Sequence, residues 1–126
     1  MINSAKHTNK KKVMIVDDNQ SIMDVMKLML EHAGYASTIT ADPLEVKNLK
    51  EPLPDLLFLD ILLSGADGGD LCRYLKDKDH TKHMPVIILS ANSDIEEIAL
   101  ACGADGFLVK PFQMNDMLAL IERHIA

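Results

Sequence analysis

Three unbroken apolar runs, each closing on a polar residue, constrain this chain most. They are Val13-Met14-Ile15-Val16 before Asp17-Asp18, Leu56-Leu57-Phe58-Leu59 before Asp60, and Val86-Ile87-Ile88-Leu89 before Ser90. Apolar residues in succession, rather than in alternation, fit strands buried on both faces, as in parallel sheets covered by helices. The segments between them read as helices. "SIMDVMKLMLEHAG" carries Ile22, Val25, Met26, Met29 and Ala33 at helical spacing, with Gly34 as its terminator. Asp42-Pro43 opens "DPLEVKNLK" as N-cap and first helical residue, and "EPLP" breaks it. "GDLCRYLKD" follows the third strand. "SDIEEIALACG" has Ser93 or Asp94 as its cap and Gly103 beyond its end. "YASTIT" is a half-polar strand suited to a sheet edge, and "GFLVK" is a fifth strand. "QMNDMLALIERHI" closes the pattern. Strand and helix thus alternate five times, which predicts an α/β fold: a five-stranded parallel sheet in a doubly wound (βα)5 three-layer sandwich.

The 126 residues suffice for one domain and not for two. A net charge of -6 gives no general electrostatic footprint for nucleic acid, so no direct nucleic-acid partner is expected. No secretory signal is evident and no apolar run would span a bilayer, so a cytoplasmic domain without membrane contact is expected. Residues 1–11 read as a disordered polar leader and 12–126 as the folded domain. The last helix reaches almost to the end of the sequence, which suggests a free-standing domain. Cys72 and Cys102 match no metal spacing and read as buried free thiols in a reducing compartment. His80 and His83 lie in the charged loop "KDKDHTKHMP" and read as surface residues.

The strand ends carry the chemistry. In an open sheet of order 2-1-3-4-5 the strand order reverses between strands one and three, and ligands bind at the carboxyl edge there. Asp17, Asp18 and Asp60 would converge at that point, with Ser90 and Lys110 closing strands four and five. Taken alone, the acidic pair Asp17-Asp18 serves equally well as a helix cap or as part of a site. Three carboxylates together are unfavourable, because two unit charges 4 Å apart repel by roughly 4 kcal/mol at an effective dielectric near 20. A hard divalent cation removes that conflict, and Mg²⁺ binds through carboxylates and phosphate oxygens. Lys110 and Ser90 then suit a phosphoryl group, and a carboxylate can itself be the nucleophile.

The motifs "VDDN", "LLFLD", Asp67-Gly68, "ILSA" and "FLVKPF" make residues Lys11 to Ala126 resemble the receiver domain of a two-component response regulator, of the single-domain, flavodoxin-like type. The resemblance implies that Asp60 is the phosphoacceptor. It implies that Asp18, Asp60 and the Leu62 carbonyl bind Mg²⁺ (or Mn²⁺) directly, with Asp17 acting mostly through water. Ser90 and Lys110 would bind the phosphoryl group, beside the small Ala91, and the Lys110-Pro111 peptide would be cis. Phe107 matches the switch aromatic, although an ordinary core phenylalanine fits the same place. The implied partners are a histidine kinase or phosphotransfer protein and an unidentified downstream protein reading the face of helix four, strand five and helix five. Gln20, Met23 and Lys27 would face the phosphodonor, with Met23 either an apolar contact or an isolated surface methionine. Ser64-Gly65 departs from the family's usual proline, which suggests a more mobile loop. Leu62 and Asn92 occupy the variable positions that flank the site and tune phosphoryl lifetime. Two rivals fit less well. Phosphohydrolases resembling the haloacid dehalogenase group want Asp-X-Asp after strand one, and flavodoxin-like cofactor binders want a Ser/Thr/Gly phosphate loop there. A receiver that signals without phosphorylation fits poorly, because the full set of site residues is present.

Overall fold

The computed structural model describes residues 10–63 and 65–125. Strands β1 (Lys12–Val16), β2 (Ala36–Thr40), β3 (Leu56–Asp60), β4 (Val86–Ser90) and β5 (Gly106–Val109) form one parallel sheet in the order β2-β1-β3-β4-β5. The half-polar β2 lies at an edge, as its composition suggests. The apolar β3 and β4 are buried along their whole length. Alternate residues along the central strands point to opposite faces. Val16, Leu57, Leu59 and Ile88 join one core; Ile15, Leu56, Phe58, Ile87 and Leu89 join the other. Burying side chains of this size contributes about 1.5–3 kcal/mol each.

Among the described residues, four helices connect the strands, α1 (Gln20–His32), α2 (Pro43–Lys47), α3 (Gly68–Asp77) and α4 (Ile95–Cys102), and α5 (Met114–Ile125) follows the last strand. Among the described residues no helix is long and apolar enough to cross a membrane. The α1 helix turns differently from the sequence expectation. Met23, Met26 and Leu30 are its buried residues, whereas Val25 is 49% exposed. Met23 therefore packs inward and is not a surface contact. The stripe 23-26-30 is one helical face, and nearly every neighbouring position is also apolar, so periodicity alone did not select it. Helix α2 starts at the Asp42 cap with Pro43 in its first turn, and stops early at Lys47, where the Asn48 N–H returns to the Leu44 carbonyl at 3.0 Å. Asp94, not Ser93, is the cap residue of α4, without a side-chain cap bond. Gly103 ends α4 in the left-handed region at φ 79, which favours glycine.

After β3, where the sequence suggests a loop, the chain adds a short antiparallel pair. Leu62–Leu63 pairs antiparallel with Ala66–Asp67. Ser64 and the leader residues 1–9 lie outside the described residues; Lys10 and Lys11 are exposed.

Candidate functional site

Sheet register assembles the site. Val16 pairs with Leu59, so Asp17 and Asp60 leave neighbouring strands side by side. Asp17 is completely buried, and Asp60 is 6% exposed. The Asp17 N–H continues the ladder to the Thr40 carbonyl at 3.2 Å. Its Oδ1 accepts the Asn19 N–H at 2.9 Å. Asn19, not either aspartate, caps α1: its side-chain oxygen accepts the Ile22 N–H at 3.1 Å. Neither member of the acidic pair is therefore the N-cap of α1. Asp18 is exposed, yet carboxylate oxygens of Asp17, Asp18 and Asp60 lie within 4.8 Å of one another.

Lys110 enters from β5. Ser90 pairs with Val109, and the Lys110 N–H donates to the Ser90 carbonyl at 2.9 Å. The lysine Nζ then reaches Asp17 Oδ2 at 2.9 Å and Asp60 Oδ2 at 3.2 Å. Asp60 Oδ1 accepts the Leu62 N–H at 3.1 Å. Burial pushes the Asp60 carboxyl above its ordinary value, and the Asp17 charge adds to this, against the opposing Leu62 N–H and Lys110. For Lys110, burial alone would lower the ammonium; the two carboxylates outweigh it and raise it. The Ser90 hydroxyl oxygen accepts the Asn92 N–H at 2.9 Å, which leaves its own hydrogen available for donation. The Lys110-Pro111 peptide is cis, as is Glu51-Pro52.

Gly68, at the start of α3, is packed against the end of β3. Its N–H donates to the Ile61 carbonyl at 2.9 Å. A Cβ on Gly68 would come within 2.5 Å of Ile61 Cα and closer still to the Asp60 carbonyl oxygen. The sequence flagged Asp67-Gly68 only as a motif; the contact across eight residues could not be read from it. Asp67 caps α3 through the N–H groups of Gly69 and Asp70. Leu62 is 75% exposed beside Asp60. Phe107 is half-buried against the core cluster that includes Ile88.

A groove of about 380 Å³ opens beside Lys110. Ile22, Val25 and Met29 of α1 form one wall, and Pro111 and Phe112 form the other. Gln20 is exposed and Lys27 half-buried on the same helix. This apolar groove was hidden in the sequence, because it depends on the corrected phase of α1.

The donor set fits a hard divalent cation. It consists of three carboxylates at a carboxyl-edge crevice, with no sulfur or imidazole in the group.

The comparisons agree with this geometry. Residues 13–122 match the response regulator receiver domain family. The chain is 35% identical over 115 residues to the phosphate regulon transcriptional regulatory protein PhoB of Rhizobium meliloti (strain 1021), covering 88% of this chain and 50% of that protein. It is 34% identical over 113 residues to the DNA-binding dual master transcriptional regulator RpaA of Synechocystis sp. (strain ATCC 27184 / PCC 6803 / Kazusa), covering 87% and 47%. The chain thus spans about half the length of these relatives. Among solved structures, a putative response regulator from Chloroflexus aurantiacus J-10-fl superposes with a TM-score of 0.86 at 30% identity, covering 93% of this chain and 98% of that one. The receiver domain of the sensor histidine kinase PA1611 from Pseudomonas aeruginosa PAO1 superposes at 0.80 with 26% identity, covering 92% and 98%, and has a magnesium ion coordinated in its active site cleft. With the sheet order, the acidic cluster and the strand-end lysine already in place, these matches show that the chain belongs to the response regulator receiver domain family, the phosphoacceptor signalling modules of two-component systems.

Proposed function

We propose that Asp60 accepts a phosphoryl group from a phosphohistidine donor. The observation that carries this reading is the convergence of Lys110 on Asp17 and Asp60, with Asp18 completing the acidic cluster. Asp17, Asp18 and Asp60, with the Leu62 carbonyl, would hold Mg²⁺ or Mn²⁺. Such an ion, when bound, supplies positive charge shared between the carboxylates and the phosphoryl oxygens. An Asp60 carboxylate oxygen forms the bond to phosphorus as the phosphorus–nitrogen bond to the donor imidazole breaks. The Lys110 ammonium, already within 3.2 Å of Asp60, offsets charge on the phosphoryl oxygens. The Ser90 hydroxyl turns its hydrogen toward the new group. The chain promotes its own phosphorylation and dephosphorylation only, so it acts as a switch rather than a turnover enzyme.

Phosphorylation would then change the face made by α4, β5 and α5 through Ser90 and Phe107. Moving such an equilibrium nearly to completion takes about 5.5 kcal/mol of differential stabilisation. The donor, a histidine kinase or phosphotransfer protein, docks over Gln20, Lys27 and the apolar groove of Ile22, Val25, Met29 and Phe112. A downstream protein reads the switched face. The net charge of -6 favours a protein partner over direct nucleic-acid contact, and that partner would meet the chain in the cytoplasm.

The test is intact mass after incubation with a small phosphodonor and Mg²⁺, for the native chain and for Asp60→Asn. Gain of one phosphoryl group by the native chain, prevented by EDTA and absent in the variant, is the expected result. A folded native chain that gains nothing would overturn the reading.

A further inference from the structure

Among the described residues five polar side chains are buried: Asp17, Thr40, Asp60, Thr81 and Ser90. Asp17, Asp60 and Ser90 belong to the site above. The Thr81 hydroxyl binds the Leu75 carbonyl near the end of α3, at 2.6 Å. Thr40 is left over, and it ends β2 at the same carboxyl edge as the site. Its hydroxyl has two partners. It donates to Glu45 Oε1 at 2.7 Å and accepts the Asp42 N–H at 3.1 Å. Asp42 is the cap of α2 and Glu45 lies in its first turn; both residues are exposed. The Thr40 carbonyl turns toward β1 and accepts the Asp17 N–H at 3.2 Å, one step beyond the register pair Val16 and Thr40.

We infer that Thr40 is a positioning residue for Asp17: its hydroxyl, held by Glu45 and Asp42, fixes the carbonyl that carries the Asp17 backbone. This role presupposes the reading above, in which Asp17 helps to hold the divalent cation. β2 is an edge strand, so no neighbouring strand restrains its outer side. The last residue of such a strand opens more readily than the central sheet. The hydroxyl stitch to α2 supplies the restraint that a neighbouring strand would give. Asp17 itself has three holds: the Thr40 carbonyl on its N–H, the Asn19 N–H on Oδ1 and Lys110 on Oδ2. The Asn19 contact spans two residues and turns with Asp17, so it does not fix Asp17 to the sheet. Under the proposed phosphorylation the Lys110 ammonium is drawn toward the phosphoryl oxygens, which weakens its grip on Asp17. The Thr40 carbonyl is then the hold that comes from outside Asp17's own strand and loop. Groups that orient a metal ligand are typically worth about 10–100-fold in affinity.

The experiment measures amide exchange by NMR on the metal-free chain and Mg²⁺ affinity by calorimetry, for the native protein, Thr40→Val, Glu45→Ala and Thr40→Ser. In Thr40→Val the Asp17 amide should exchange about three- to tenfold faster, the effect of one lost hydrogen bond. Phe58 and Ile88, in the central strands, should keep their native rates. Mg²⁺ should bind about tenfold more weakly. Glu45→Ala removes only the exposed acceptor and should shift both readings the same way, by less; it decides the matter should Thr40→Val not fold. Thr40→Ser keeps the hydroxyl and should match the native chain in both. Native exchange at Asp17 in both Thr40→Val and Glu45→Ala would overturn the proposal. So would exchange that quickens equally at Asp17, Phe58 and Ile88 with Mg²⁺ affinity unchanged, the mark of a weaker fold and nothing more. A native chain that binds no Mg²⁺ would overturn the metal reading instead, and the exchange rates would still decide the anchor.

Discussion

Lys110 donates a 2.9 Å hydrogen bond to Asp17, a completely buried carboxylate 93 positions earlier in the chain. The same ammonium reaches Asp60, so one lysine neutralises the two least accessible carboxylates of the site. Lys110→Met should therefore leave two adjacent negative charges facing each other. In metal-free buffer the variant should lose about 3 kcal/mol, the scale for breaking a buried pair. Denaturant melts with and without MgCl₂ check this, and magnesium should recover part of the loss.

The pH dependence of that loss has a defined sign. Lys110 is raised above the ordinary 10.5, so its stabilisation is fully present below that value and disappears as pH climbs through the folded-state value. The stability difference between the native chain and Lys110→Met should be flat through neutral pH and shrink on the alkaline side of 10.5. A difference that shrinks between neutral pH and 10.5 would contradict the pairing.

Asp60 behaves in the opposite sense. Its carboxyl is held above the ordinary 3.8, so ionisation costs the folded state free energy. That cost is absent when Asp60 is protonated in both states, and is complete above the folded-state value. Asp60→Asn should therefore be more stable than the native chain by about 1–2 kcal/mol at neutral pH without metal, within the ordinary range of single substitutions. Acidification should erase the gain. Thermal melts of both proteins across pH provide the measurement.

Gly68→Ala and Gly69→Ala separate close packing from helix propensity. At Gly68 a methyl group would press on the backbone of Asp60 and Ile61; at Gly69 it would meet only the Asp67 carboxylate at 3.0 Å and an Ile98 methyl at 4.0 Å. Gly68→Ala should cost about 3 kcal/mol and slow phosphorylation, as expected of severe overpacking. Gly69→Ala should change stability by less than about 1 kcal/mol, the size of the helix-propensity difference. Paired denaturation curves and phosphorylation time courses distinguish them.

The phase of α1 makes a fourth contrast. Met23→Ala should destabilise by about 2–4 kcal/mol because it opens a cavity under the helix. Val25→Glu should keep the fold, since Val25 is half exposed, but should slow transfer from a histidine phosphotransfer protein. Phosphorylation of the same variant by a small phosphodonor should be unchanged. If both routes slow equally, the groove is not a docking surface.

Most of the sheet was legible because Leu56 to Leu59 and Val86 to Leu89 are apolar on both faces and end at polar residues. The carboxyl-edge cluster followed from the strand order, as did the nearness of Lys110. The orientation of α1 was not legible. Positions 22, 23, 25, 26, 28, 29 and 30 are all apolar, so only packing against the sheet selects Met23, Met26 and Leu30. The unequal fates of Asp17 and Asp18 were hidden for a related reason. Adjacent residues at a strand end point opposite ways, and only the register of β1 against β3 turns Asp17 inward to Lys110.

Gly68 gives the site a direction of yield. On the α3 side, backbone abuts backbone so closely that Asp60 has no room to retreat. On the opposite side stand Ser90 and Lys110, whose single bonds can rotate. If Asp60 is phosphorylated as proposed, the added bulk would be accommodated toward β4 and β5, with α3 as the anvil. Under the proposed phosphorylation, the event would be passed in one direction, through the flank whose side chains can turn.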